Sequence, residues 1–271
     1  MTDSYAVIGN PVAHSQSPRI HAAFAQQTSQ LIVYKQLYCD IGAFVETVRA
    51  FRAQGGKGLN VTLPFKHEAF DLATRRSERA EQAGAVNTLS FNGDEVAGEN
   101  TDGAGLLRDI TDNLHFDVRD KRVLLLGAGG ASFGVMGPLL AGSIQSLTIA
   151  NRTVSKAEAL RARFAAHANV DACAYEALKG RRFDLVINAT SAGLTGAMPA
   201  LPDDVFSSGA LAYDMVYGKV TPFMQFAQAR GIQTADGLGM LVEQAAESFF
   251  IWRGVRPQTA PVMTLLRGAA R

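Results

Sequence analysis

The sequence predicts an α/β protein of two domains, each built on a mostly parallel sheet. Three observations carry that expectation. Short β-like runs alternate with helix-like segments along most of the chain, which is the rhythm of βαβ units. The stretch from Val123 to Ala150 holds no charged residue, yet it is broken by Gly127, Gly129, Gly130, Gly134, Gly137, Gly142 and Pro138. It is long enough to cross a bilayer. Its glycines divide it instead into a β-like run, a turn, a helix and a second β-like run, and a sheet covered on both faces needs no charge. Finally, 271 residues, 47% of them hydrophobic, suit two modest domains better than one large one.

The elements follow in order. "YAVIG" reads as a strand, a helix starts near Pro18, and "LIVYKQLY" is a second strand. A helix runs through Phe44 and Phe51, "LNVT" is a third strand, and a helix follows Lys66. "AVNTLSFNGDEVAGEN" reads as a hairpin turned at Asn92-Gly93, because Asn-Gly tolerates the positive φ of a tight turn. "TDGAGLLRDI" is a helix, and "RVLLLGAGGAS" opens a second alternation with strands at "SLTIA", "VDACA", "DLVINAT", "LAYDM" and "IQTAD". The two last helices, "GLGMLVEQAAESFFIWRG" and "PQTAPVMTLLRGAA", have no strands of their own and are expected to return to the first sheet. One domain is therefore expected over residues 1–101 and 240–271, and the other over 102–239, with the change close to Asp102.

A formal charge of +1 leaves no basic excess for a phosphate backbone, so nucleic acid is not an expected partner. The clusters "TRRSER" and "VRDKR" read as solvated faces. Cys39 and Cys173 stand far apart without metal-ligand spacing, which suggests neither a disulfide nor a metal site and fits a reducing cytoplasm. "MTDSYAVIGN" lacks the basic and apolar regions of a signal peptide. The expectation is a cytoplasmic protein acting on a small molecule, away from membranes, as a monomer or homodimer.

In "RVLLLGAGGASFG" a strand, a glycine turn and a helix follow one another, so that backbone N–H groups and a helix N-terminus can hold a pyrophosphate. The core is Gly127-x-Gly129, with Ser132 where a third glycine usually sits. This predicts a doubly wound dinucleotide-binding domain. An NAD site places an acid at the end of the second strand for the ribose 2′-OH. Here that strand ends "IANRTVSK": Asn151 replaces the acid, Arg152 offers a planar fork, and Lys156 adds a charge one turn on. NADP is the expected cofactor. Ser155-x-x-Glu158 has the form of a capping box beside it.

Polar clusters also mark the first half. "GNPVAHSQSPRIH" sets Ser15 and Ser17 between a strand and a helix, where Ser17 suits an N-cap before Pro18. Capping explains one serine, and a pair beside a helix N-terminus also suits a carboxylate ligand. Thr62, Lys66, Asn87 and Asp102 fall at strand ends or helix starts, and Asp102 also has the form of an N-cap. Lys66 at a helix start opposes the helix dipole, which disfavours a merely superficial role. Helix geometry groups Gln244 with Leu241, Ala245 and Ser248, and puts Glu243 and Glu247 on another face.

Together, "GNPVAHSQSPRIH", "NVTLPFK", "AGAVNTL", "GENTDG", "LLLGAGGAS", "NRT", "NATSAG", "YDMVY", "TPF" and "ADGLGMLVEQA" resemble the shikimate dehydrogenase family over nearly the whole chain. The resemblance implies NADPH-dependent reduction of 3-dehydroshikimate to shikimate, in two α/β domains facing a cleft, one of them Rossmann-like. It implies that Ser15 and Ser17 hold the substrate carboxylate, with Thr62, Asn87, Tyr217 and Gln244 around the ring. Lys66 and Asp102 match the catalytic pair. Cofactor contacts match Gly127, Ala128, Gly129, Gly130, Ala131, Asn151, Arg152, Thr153, Lys156, Met215 and Gly239.

Ketone reduction leaves a developing alkoxide that must take up a proton, and Lys66 suits that task, with Asp102 setting its charge and direction and the Pro64-Phe65 pair aiming it. Phe133 and Lys156 stand where many members carry Arg, "YGKVTP" is one residue shorter than is common, and Glu243 adds a carboxylate beside Gln244. A quinate/shikimate dehydrogenase using NAD is disfavoured by Ser17 and by the "NRT" cluster. Retention of Lys66 with Asp102 argues against a catalytically silent sensor, and the paired serines against a folate-type methylene dehydrogenase.

Overall fold

The computed structural model describes residues 2–167 and 169–268. The chain divides into two units, Met1–Gly105 with Val242–Arg271, and Leu106–Leu241. The first divide therefore falls a few residues after Asp102, which stays in the same unit as Lys66.

The first unit runs β1 (Asp3–Gly9), α1 (Ser17–Gln27), β2 (Ile32–Tyr38), α2 (Phe44–Ala53), β3 (Gly56–Val61), α3 (Lys66–Leu72), β4 (Arg75–Arg76), α4 (Glu78–Ala83), β5 (Thr88–Asn92) and β6 (Glu95–Glu99). Helix α5 (Asp102–Arg108) leads out of it, α9 (Leu238–Arg253) leads back, and α10 (Ala260–Gly268) is the last helix. The sheet order is β2-β1-β3-β5-β6-β4. β1 is parallel to β2 and β3, whereas β5 is antiparallel to β3 and β6. One face buries Ile8, Leu59, Leu89, Phe44 and Phe65. On the other, Tyr5 stacks on Trp252 at 4.6 Å, and the Trp252 indole donates to Leu89 O, so α9 packs on this sheet.

Two local expectations need correction. The hairpin turn is Gly93-Asp94, one residue later than Asn92-Gly93, because Asn92 pairs with Glu95; Gly93 alone supplies the positive φ, +56°. The "TRRSER" cluster is not a free solvated face. Ser77 caps α4, accepting from Ala80 N, and Arg79 pairs at 3.0 Å with both Glu99 and Glu247. Glu247 also pairs with Arg256, and these cations hold its carboxyl below the usual range against the effect of burial.

His21 lies fully buried against this sheet, its ring stacked on Tyr34 at 4.2 Å, with neither nitrogen hydrogen-bonded among the described residues. Burial pushes its pKa down to about 3. The unfolded chain binds this proton near pH 6.5 and the folded chain does not, so stability is lost as pH falls below about 6.5. Between pH 7 and 5.5 the wild type is expected to lose about 1 kcal/mol more unfolding free energy than His21→Phe. Denaturant titrations at both pH values read this difference, and equal losses in the two proteins would contradict it.

The second unit continues with β7 (Arg122–Leu126), α6 (Gly130–Ala141), β8 (Ser146–Ala150), α7 (Val154–Ala162), β9 (Val170–Cys173), β10 (Phe183–Asn188), β11 (Phe206–Asp214), α8 (Pro222–Gln228) and β12 (Gln233–Asp236). Its sheet is parallel throughout, in the order β12-β11-β10-β7-β8-β9. Val123 and Leu125 face one apolar cluster, Leu124 and Leu126 the other. Both faces are thus buried with a period of two, which accounts for the missing charges. Among the described residues no helix is long and apolar enough to cross a membrane.

Candidate active site

In the first unit the parallel order β2-β1-β3 puts a switch point between β1 and β3, where ligands of open α/β sheets gather at the carboxyl ends of the strands. The chain leaves β1 into the Ser15–Ser17 segment and leaves β3 into Thr62–Lys66. The antiparallel β5 begins at this end, and β6 finishes here, since Thr88 pairs with Glu99. Asn87 and Asp102 are thereby delivered beside Lys66.

The Lys66 ammonium lies 2.5 Å from Asp102 Oδ2, with side-chain exposures of 26% and 13%. Asp102 Oδ1 accepts from Asn87 Nδ2 at 2.8 Å. Asp102 does not cap its own helix: Asn100 Oδ1 takes the Asp102 N–H at 3.1 Å, leaving the carboxylate for Lys66 and Asn87. Lys66 is the first residue of α3, where the helix dipole disfavours a cation, and the Asp102 carboxylate offsets this. Phe65 anchors the turn, fully buried and stacked on Phe44 at 5.3 Å, with its N–H on Thr62 O.

Helix α1 starts at Ser17, so Ser17 is not its N-cap; that position is Gln16, whose side chain makes no cap bond. Ser15 Oγ accepts the Ser17 N–H at 3.3 Å, and Ser17 is buried while Ser15 is half-buried. Thr62 is half-buried over Gly9, where a Cβ would collide with its methyl. Gln244 Oε1 accepts from Thr101 Oγ1 at 3.4 Å, and only a glycine at 105 lets α5 approach the Gln244 backbone. Glu243 and Glu247 are buried as well, Glu243 accepting from Thr259 Oγ1, so α9 has no solvated acidic face.

Sequence reasoning missed the polar support beneath these groups. Thr101 N donates to Asn87 Oδ1, and Asn60 Nδ2 donates to Ser248 Oγ and Thr88 Oγ1. Asn60, Thr88, Thr101 and Ser248 are all buried. The available signal was a polar residue inside an otherwise apolar strand, as Asn60 is in "GLNVT", since a buried amide demands partners.

In the second unit β7 and β10 flank the point where strand order reverses. Gly127 takes φ +103° at the end of β7, and α6 begins at Gly130 with no side-chain cap on Gly129. A Cβ at Gly129 or Gly130 would meet nothing within 4 Å, so the helix N-terminus is open to an anion. Ser132, in the place of a third glycine, is buried and donates to Gly127 O at 2.9 Å, bracing the turn. Ala128 and Ala131 complete this segment.

At the end of β8, Asn151 Nδ2 donates to Thr153 O, and Arg152 and Lys156 are exposed, without an ion pair among the described residues. Two unpaired cations and no acid fit a 2′-phosphate. The expected capping box at Ser155 and Glu158 is absent. α7 begins at Val154, after an extended Thr153 whose side chain does not cap, so Ser155 already lies inside the helix. Met215 and Tyr217 follow β11, and Tyr217 is 39% exposed. Gly239, near the start of α9, abuts the Asp109 carboxylate, which accepts from Tyr213 Oη at 2.7 Å.

Family models for the shikimate dehydrogenase substrate binding domain, shikimate/quinate 5-dehydrogenase and the shikimate 5′-dehydrogenase C-terminal domain match residues 7–89, 109–195 and 237–267. A protein of Nitrosospira multiformis named shikimate dehydrogenase (NADP(+)) is 58% identical, over 99% of this chain and 98% of its own. The crystal structure of an Ael1 enzyme from Pseudomonas putida is 51% identical with a TM-score of 0.94, covering 98% of both chains. That of shikimate 5-dehydrogenase from Thermus thermophilus, in complex with NADP(H) and shikimate, is 32% identical with a TM-score of 0.89. It covers 99% of this chain and 100% of the other. With the Lys66–Asp102 pair in one unit and an open glycine turn in the other, these matches show that the chain belongs to the shikimate dehydrogenase family.

Proposed function

We propose that this NADP-dependent oxidoreductase reduces 3-dehydroshikimate to shikimate, reversibly, through Lys66 and Asp102. The observation that carries the assignment of roles is the 2.5 Å contact between Lys66 and Asp102, with Asn87 on the second carboxylate oxygen. NADPH supplies the hydride when bound. The Lys66 ammonium gives its proton to the carbonyl oxygen as that oxygen becomes an alkoxide, and Asp102 holds the ammonium in place. Ser15 and Ser17 hold the carboxylate, and Thr62, Asn87, Tyr217 and Gln244 surround the ring. Gly127 to Ala131 receive the pyrophosphate, Asn151 to Thr153 with Lys156 the ribose phosphate, and Met215 and Gly239 the nicotinamide side. The near-zero net charge and the two separated cysteines support a cytoplasmic enzyme of small molecules.

Absorbance at 340 nm tests the reading. Shikimate with NADP+ is expected to give the highest kcat/KM among the four pairings of shikimate or quinate with NADP+ or NAD+. A higher value for quinate, or for NAD+, would overturn it. Ser17→Ala is expected to raise KM for shikimate about fivefold, near 1 kcal/mol, with NADP+ affinity unchanged. An unchanged KM alongside a lower melting midpoint would return Ser17 to a structural role.

A further inference from the structure

Of the motifs in the sequence, "NATSAG" and "TPF" have no chemistry assigned to them above, and "YDMVY" has it only at Met215 and Tyr217. In the second unit they meet at one side chain. Asp214 is the last residue of β11 and is fully buried. Its Oδ1 accepts from Val216 N at 3.0 Å, and its Oδ2 accepts from Thr221 Oγ1 at 2.6 Å and from Asn188 Nδ2 at 3.0 Å. These partners are neutral donors. Asn188 is fixed in turn, its Oδ1 accepting from Thr190 N and Thr190 Oγ1, while its backbone carbonyl receives Met215 N at 3.0 Å. Thr221 Oγ1 also accepts from Met224 N and so caps α8. A Cβ on Gly193 would stand 3.1 Å from Thr221, and one on Gly237 would strike Met215 O.

A buried carboxylate is costly unless donors surround it, and this one is placed so that its donors come from both ends of the segment 215–221. We propose that Asp214 and Thr221 are positioning residues: a latch that closes the turn after β11 and so sets the places of Met215 and Tyr217. The proposal rests on the functional reading above, in which Met215 meets the cofactor and Tyr217 the substrate ring. It adds the groups that hold them. Asp214 and Thr221 are both fully buried and hydrogen-bonded to each other.

Thr221→Val removes the hydroxyl at nearly constant shape. It is expected to raise KM for NADPH and for 3-dehydroshikimate at least threefold each, with a smaller change in kcat. Thr221→Ser, which keeps the hydroxyl, is expected to restore both to within twofold. In the ligand-free protein, exchange of the Val216 amide is expected to quicken at least tenfold in Thr221→Val, which reads the latch without activity. Thr221→Ala removes the same hydroxyl and serves if the valine variant does not fold. Michaelis constants and Val216 exchange both unchanged, with only a lower melting midpoint, would overturn the proposal and leave Thr221 a helix cap. If the wild type does not reduce 3-dehydroshikimate with NADPH, the functional reading has failed, and unchanged Val216 exchange would overturn the latch independently.

Discussion

Lys66→Ala is expected to lower kcat by about 10² or more while changing KM by less than about threefold, the pattern of a group that acts in the transition state rather than in binding. The structure explains why the loss should be large. Asp102 Oδ2 lies 2.5 Å from the ammonium and its Oδ1 holds Asn87, so removing the lysine leaves a half-buried carboxylate where the ammonium stood. Asn87, an amide, offers no replacement acid. Steady-state kinetics at saturating NADPH separate the constants. A preserved kcat with a steep rise in KM would make Lys66 a binding residue only.

Arg152→Ala is expected to cost NADP+ about 1.5–3 kcal/mol, the range for hydrogen bonds to charged groups, and to leave NAD+ almost untouched. Arg152 is exposed and without an ion pair among the described residues, so its fork is available to a ligand phosphate. Lys156 would remain after the substitution as a point charge without a bidentate contact. Phe133 does not replace the lost fork; its ring lies 5.2 Å from the Arg163 guanidinium. Measuring kcat/KM for both cofactors at two salt concentrations tests this. Equal losses for NAD+ and NADP+ would show that Arg152 does not read the phosphate.

The fold and the positions of the chemistry were legible in the sequence to different depths. Period-two apolar runs and the glycine turn after "RVLLL" announce parallel strands buried on both faces, and the structure places Val123 to Leu126 in that manner. Lys66 was readable as an unusual residue at a helix start, and Asp102 as a residue in the form of an N-cap. Their adjacency was expected from the family resemblance alone; residue patterns do not show it, because it depends on the β5–β6 hairpin returning the chain to the end of β3. The slip of the turn to Gly93-Asp94 has the same origin: cross-strand register, such as Phe91 with Val96, outranks the local preference of Asn-Gly.

Charge clusters were the least readable. Arg79 belongs by composition to a solvated face, yet its partner Glu247 lies 168 residues away in sequence, and no local pattern reveals it. The capping box at Ser155 failed for a local reason, since the extended Thr153 lets the helix start before the serine.

Delivery of the proton by Lys66 during hydride transfer is the central assignment, and a single-turnover experiment meets it most directly. Lys66→Ala preloaded with NADPH would be mixed with saturating 3-dehydroshikimate and followed at 340 nm, with substrate and cofactor affinities measured separately by titration. The expected result is a slow first turnover, reduced by about 10² or more, with both affinities near those of the wild type. A first turnover at the wild-type rate, followed by slow later cycles, would contradict the assignment and place the lysine in product release.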